Sequence, residues 1–145
     1  MSQAPLIQNQ PQLTYAGAAI AIEAAVARSR ELGAPECIAV VDAGGNLLAF
    51  ARMEGAAVVA REPAIAKAAT SASLSMPTGN IPFEFGANLG FASKGALVNL
   101  GGGFPIVFRG TLLGAIGVGS GTTEQDVSVA EAGRDALLEL LAASA

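Results

Sequence analysis

Apolar and polar positions alternate over residues 104–108, where Phe104, Ile106 and Phe108 interleave with Pro105 and Val107. A period of two predicts a strand with one buried face. Arg109-Gly110 follows, a dipeptide suited to a two-residue reversal in which positive φ is required. Thr111–Val118 then predicts a second strand, apolar on both faces and interrupted by Gly114 and Gly117. That composition suits a central strand approached closely by another backbone. Gly119-Ser120-Gly121 ends it. Thr122 and Thr123, with Gln125 and Asp126 three residues on, have capping-box spacing. Val129, Ala130, Gly133, Leu137, Leu140 and Leu141 recur beyond them at helical spacing and predict a helix with one core-bound face.

The same reading applies upstream. Leu13, Ala16, Ile20, Ala24 and Ala27 predict the apolar side of a helix opened by the Thr14 hydroxyl and closed at Gly33, ahead of Pro35. Cys37–Val41 is continuously apolar, Gly44-Gly45-Asn46 is a turn signal, and Leu47–Arg52 completes an expected antiparallel hairpin. Pro63 at a first helical position predicts a second helix to about Ser73, with Pro77 marking its stop. Pro82–Leu89 predicts a short helix inside a long loop that presents Phe83, Phe85 and Phe91. Gly95–Leu100 reads as a fifth strand leading into Gly101-Gly102-Gly103. Residues 1–12, polar with two prolines, read as a flexible arm, and 13–145 as a single domain. The expected fold is α+β: a five-stranded antiparallel sheet with flanking helices.

Composition adds the assembly. Across 145 residues, 52% are hydrophobic and only 14% charged, below the usual charged fraction of about 25%. So few charges imply surfaces covered by copies of the same chain, a homo-oligomer. The net charge of −4, with basic residues scattered singly, argues against nucleic acid and anionic membranes as partners. No apolar run is long enough to span a membrane, and the N-terminal residues lack signal-peptide features, so the expected location is cytoplasmic. Cys37 stands alone, in an apolar run, as a small buried hydrophobe. The chain has no histidine, which removes Ser-His-Asp and Cys-His catalysis and most transition-metal sites. No metal site is expected.

Candidate chemistry is sparse. Lys67 sits within Ala64-Ile-Ala-Lys-Ala-Ala-Thr70, as either a snorkelling surface lysine or a partly buried cation facing a cleft. Arg52, Glu54 and Glu84 are its candidate companions for proton transfer or for orienting an anion. Met76, Phe83, Phe85, Phe91 and Phe104 either line a pocket or fill the core, and Gly102 and Gly103 allow a flat ligand or a backbone to approach closely. Gly117-Val-Gly119-Ser-Gly121 lacks the third glycine of a dinucleotide fingerprint, because residue 122 is Thr.

In order along the chain, Val40-Val-Asp-Ala-Gly-Gly-Asn46, Phe50-Ala-Arg-Met-Glu-Gly-Ala56, Ala66-Lys-Ala-Ala-Thr70, Gly101-Gly-Gly-Phe-Pro-Ile106, Gly114-Ala-Ile-Gly-Val118, Glu124-Gln-Asp126 and Val129-Ala-Glu-Ala-Gly133 resemble the GlcG/HbpS family, the haem-degrading-domain family related to the PduO C-terminal domain. The resemblance covers roughly Leu13 to Leu141. It implies a profilin-like subunit with a five-stranded sheet, assembly into oligomers such as octamers, and binding of haem or a corrinoid. Lys67 and Arg52 fall within matching segments. Without histidine, an iron ligand would have to come from Tyr15, Met53, Met76, Cys37 or a hydroxyl. Two functions follow as expectations: a small-molecule-binding protein of this type, or a cofactor-free lyase, isomerase or hydrolase of a small catabolic intermediate with Lys67 and Arg52 in its site.

Overall fold

A computed structural model describes residues 2–144; Met1 of the expected arm and Ala145 of the expected domain lie outside the described residues. The elements are α1 (Tyr15–Leu32), β1 (Cys37–Asp42), β2 (Leu47–Arg52), a 3₁₀ turn (Val58–Ala60), α2 (Arg61–Leu74), α3 (Phe83–Ala92), β3 (Gly103–Phe108), β4 (Thr111–Gly119) and α4 (Thr123–Ser144). All strand pairs are antiparallel, in the order β2-β1-β4-β3. The two hairpins therefore meet through their inner strands, with Cys37 opposite Gly119 and Asp42 opposite Gly114.

Among the described residues the sheet has four strands, not five. Gly95–Leu100 is irregular because its backbone is held by side chains rather than by a strand. Leu97 N donates to Ser93 Oγ and Val98 N to Thr70 Oγ1, while the Asn99 amide bonds to both main-chain groups of Ile81. The Leu97 and Val98 bonds answer backbone donors that a neighbouring strand would otherwise satisfy.

Local signals act where the chain turns. Thr14 Oγ1 accepts from Gly17 N, and Gly33 closes α1 in the left-handed region at φ 64°. Thr122 and Gln125 form a reciprocal capping box, each side chain accepting from the other's backbone N–H at 3.2 and 2.9 Å. Arg109 and Gly110 both have positive φ, 51° and 78°, as a tight hairpin whose turn matches strand twist requires. Helix α2 begins at Arg61, two residues before the expected start, so Pro63 stands in the first turn, where no N–H is needed.

Alternation along β1 splits the core. Ile38 and Val40, with Ile116 and Val118 of β4, pack beneath α1 and α4; Cys37, Ala39, Val41 and Ala115 pack against Ala64, Ala68 and Ala72 of α2. A Cβ at Gly117 would collide with Ala64 O and Ala68 N, so α2 lies in backbone contact with β4. Helix α1 is phased differently from the expected Ala16/Ile20/Ala24/Ala27 face. Ala18, Ala21, Ala25 and Ser29 are buried, and a Cβ on Gly133 of α4 would stand 2.7 Å from Ala21 O. The closest crossing of the two helices selects the smallest side chains. Among the described residues, no helix is long and apolar enough to cross a membrane.

Candidate functional site

Two depressions flank the 75–102 excursion, both largely apolar in their walls. The one that also carries an ion pair is built around Lys67. Its place on α2 turns it toward the ends of β4 and α4 rather than to solvent, and only 6% of its side chain is exposed, as for Asp126. Lys67 Nζ donates to Asp126 Oδ2 at 2.9 Å and to Val118 O at 2.7 Å, and Gly121 N donates to Asp126 Oδ1 at 3.0 Å. Such a pair repays the desolvation of its two charges only when further hydrogen bonds complete it, and here they do.

Glu36, directly before β1, is fully buried; neither carboxyl oxygen accepts a hydrogen bond of ordinary geometry among the described residues, and Asp126 and the Gly121 backbone are its polar neighbours. A Cβ on Gly121 would run into Glu36 Oε1 and stand 3.0 Å from Asp126 Oδ1. The two carboxyls therefore converge on the bare face of Gly121. Burial, and next the charge of Asp126, push the Glu36 carboxyl up to about 8, so it holds a proton at neutral pH. Gly102 closes the cluster from the opposite side: a Cβ there would meet Asp126 Cβ at 2.9 Å and Lys67 Nζ at 3.3 Å.

Lys67 and Asp126 form the floor of an open pocket of about 410 Å³ whose walls include Val59, Pro63, Leu100 and the Gly119–Gly121 loop. Ser120 takes φ 103° at its rim and its Oγ accepts from Ala57 N at 2.9 Å. A non-glycine residue in that region is strained, and the bond to Ala57 is what holds it.

The second depression, about 510 Å³, lies under α3 and is lined by Phe83, Ala87, Phe91, Lys94, Leu97, Val98 and Leu100 among others. Phe83 is 86% and Phe91 84% exposed, so the groove has aromatic walls that the chain itself leaves uncovered. The side chain of Asn99, the other polar group there, is committed to Ile81. Lys94 forms no ion pair among the described residues.

The residues singled out from sequence do not converge on one place. Phe83 and Phe91 line the groove; Phe85 is exposed outside its lining, and Met76 is partly exposed just beyond α2. Phe104 belongs to the core below α4, with the Arg134 guanidinium 4.9 Å from its ring centre. Gly102 and Gly103 are covered by Lys67, Asp126 and Thr78, so backbone and side chains, not open space, adjoin them. Arg52 ends β2 opposite Cys37, exposed like Glu54 and Glu84, and none of the three lines the pocket holding Lys67. Of the alternative iron ligands, Tyr15 is exposed on α1, Cys37 is buried beside α2, and Met53 packs on the core; neither they nor Met76 line the groove. Sequence alone does not single out Glu36, and it gives Asp126 only capping-box spacing and a place in the Glu124-Gln-Asp126 segment. The available signal was phase: Asp126 stands in register with the buried positions Val129, Ala130, Gly133 and Leu137.

The comparisons agree with this architecture. The family model described as haem degrading protein HbpS-like matches residues 13–135. A 15.0 kDa protein encoded in the dhaT–dhaS intergenic region of Citrobacter freundii is 35% identical over 92% of this chain and 97% of its own length. The corrinoid adenosyltransferase PduO of the same organism is 38% identical over 74% of this chain, which spans only 34% of that longer protein. Among solved structures, a complex of PduOC with haem superposes with a TM-score of 0.79 at 28% identity, covering 86% of this chain and 94% of that one. Ordered motifs, a matching family model and relatives at this identity assign the chain to the HbpS-like (GlcG/HbpS) family.

Proposed function

We propose that the groove under α3 binds a small molecule of the tetrapyrrole class, haem or a corrinoid. The observation that carries this reading is the groove itself: aromatic and aliphatic walls left open to solvent, with the Lys94 ammonium, unpaired among the described residues, at hand for a carboxylate. Binding sites of this kind are concave, mostly apolar and furnished with few polar groups. The haem complex of the related PduOC and the corrinoid activity of PduO supply the ligand class.

The donor set fits the macrocycle body better than its metal. The groove lining contains no histidine, tyrosine, methionine or cysteine, so Phe83 and Phe91 hold the ring faces while Lys94 meets an acidic side group. Haemin and metal-free protoporphyrin IX are therefore expected to bind with comparable affinity, in saturable absorbance titrations against an albumin control. Haemin binding with protoporphyrin failing to bind would show metal ligation from elsewhere and reject this mode.

Self-association belongs to the same reading. Phe85 and Val58, 63% and 66% exposed, line neither depression, and a low-charge chain with such faces buries them against further copies, up to the octamer the family resemblance implies. Light scattering that returned a monomer at micromolar concentration would remove this part.

A further inference from the structure

The pocket over Lys67 shares only Leu100 with the groove, and the tetrapyrrole reading leaves its charged groups unused. Lys67 from α2 and Asp126 from α4 line it, and Glu36, from the entry to β1, lies behind that lining against Gly121. Two are bound to each other, and the third is buried beside them, with Asp126 and the Gly121 backbone as its polar neighbours and no accepted hydrogen bond of ordinary geometry among the described residues. Here a proton-bearing acid lies beside an acid hydrogen-bonded to a lysine, an arrangement that divides acid from base between two like groups.

We propose that the pocket beneath the Gly119–Gly121 loop is an acid–base site for a small carbonyl compound, with Asp126 exchanging a proton at the carbon beside the carbonyl and Lys67 facing its oxygen. The Asp126 carboxylate removes that proton, the C–H electron pair becomes the C=C bond of an enolate, and the carbonyl π pair moves onto oxygen. Lys67 Nζ has three N–H groups, of which Asp126 and Val118 take two; the third meets the developing oxyanion. Glu36 does not touch the substrate. It is a positioning residue and a proton store, exchanging its proton with Asp126 across the bare face of Gly121. Return of a proton from Asp126 to carbon regenerates the ketone, so the exchange needs no oxidant and no second substrate. The volume of about 410 Å³ and the short walls Val59, Pro63 and Leu100 suit a molecule of a few carbons.

The groups facing Glu36 set the pH dependence. Asp126 raises its carboxyl and Lys67 lowers it, while Cys37 is adjacent on β1 with Arg52 opposite on β2. Deprotonation of Glu36 empties the proton store, so exchange falls as pH rises through about 8.

The test is hydrogen–deuterium exchange at the carbons beside the carbonyl of hydroxyacetone (uncharged) and pyruvate (anionic), in D₂O by proton NMR with the full-length chain. At least one probe is expected to exchange about a hundredfold faster than with an equal concentration of albumin. Asp126→Asn and Lys67→Met, checked for fold by circular dichroism, lose that excess. Should either variant unfold, Glu36→Gln carries the test: it keeps the shape of the side chain, slows exchange at neutral pH and abolishes the decline near pH 8. Exchange at the albumin rate with both probes overturns the proposal, as does an unchanged rate in folded Asp126→Asn or an unchanged pH profile in Glu36→Gln. Tetrapyrrole binding is read separately, so failure here leaves the groove assignment standing and the reverse also holds.

Discussion

Lys67 Nζ and Asp126 Oδ2 lie 2.9 Å apart, joining α2 to the first turn of α4. The bond ties together helices that lie on opposite faces of the sheet. Removing one partner leaves the other charged and buried, which costs about 3–5 kcal/mol, whereas replacing both with apolar groups is far milder. Lys67→Met is therefore expected to lower unfolding free energy in urea by about that amount, and Lys67→Met with Asp126→Leu to recover most of it. Equal losses in the single and double variants would show that the pair contributes nothing as a pair.

Glu36 makes stability depend on pH in a direction opposite to that of most carboxyls. Its ordinary value near 4.5 in the unfolded chain rises to about 8 in the folded one, so between these values the folded state binds more protons. Its contribution is full below about pH 4.5 and is lost as pH rises through about 8, with a limiting slope of about 1.4 kcal/mol per pH unit. Urea unfolding across pH 5–9 is expected to show a decline in the wild type that Glu36→Gln removes. Identical profiles in both would mean that Glu36 is ionised in the folded protein.

Gly117 sets the distance between α2 and the sheet. A Cβ there meets Ala64 O and Ala68 N, backbone atoms that cannot swing aside. Gly117→Ala is expected to destabilise by about 1–3 kcal/mol, as overpacking of a close-packed layer does, and to disturb Lys67 one turn along. A neutral effect on the melting temperature would show that α2 has room to retreat.

Arg109 takes φ 51° in the β3–β4 turn although it carries a Cβ. Arg109→Gly relieves that conformation, offset by loss of the guanidinium lying 4.9 Å from the Phe108 ring centre and by the greater freedom of glycine when unfolded. Arg109→Asn keeps a side chain tolerant of positive φ and is expected to be the more stable of the two variants by about 0.5 kcal/mol, read as a difference in urea midpoint. The reverse order would mean that unfolded-chain entropy does not decide this turn.

What the sequence made legible was local. Thr14 and Gly33 bound α1, Thr122 and Gln125 open α4, and Gly117 marks a close backbone, because each acts through atoms a few residues away or through a missing Cβ. The face of α1 was not legible, because alanine occupies both the expected and the observed stripe and apolarity then carries no phase. Gly95–Leu100 looked like a strand because its competitors for hydrogen bonds, Thr70, Ile81 and Ser93, are distant or polar residues that periodicity ignores. The site was half legible. Lys67 stood out as a charge among alanines, but its partner Asp126 is 59 residues away and Glu36 joins the cluster from the entry to β1, and no spacing rule brings them together.

The most direct measurement is the haemin dissociation constant of the wild type beside that of Phe83→Ala/Phe91→Ala, whose rings form the open walls of the groove. Both side chains are largely exposed, so the double variant is expected to fold normally while binding haemin about a hundredfold more weakly. Equal affinities in the two proteins would contradict the assignment of the groove as the ligand site.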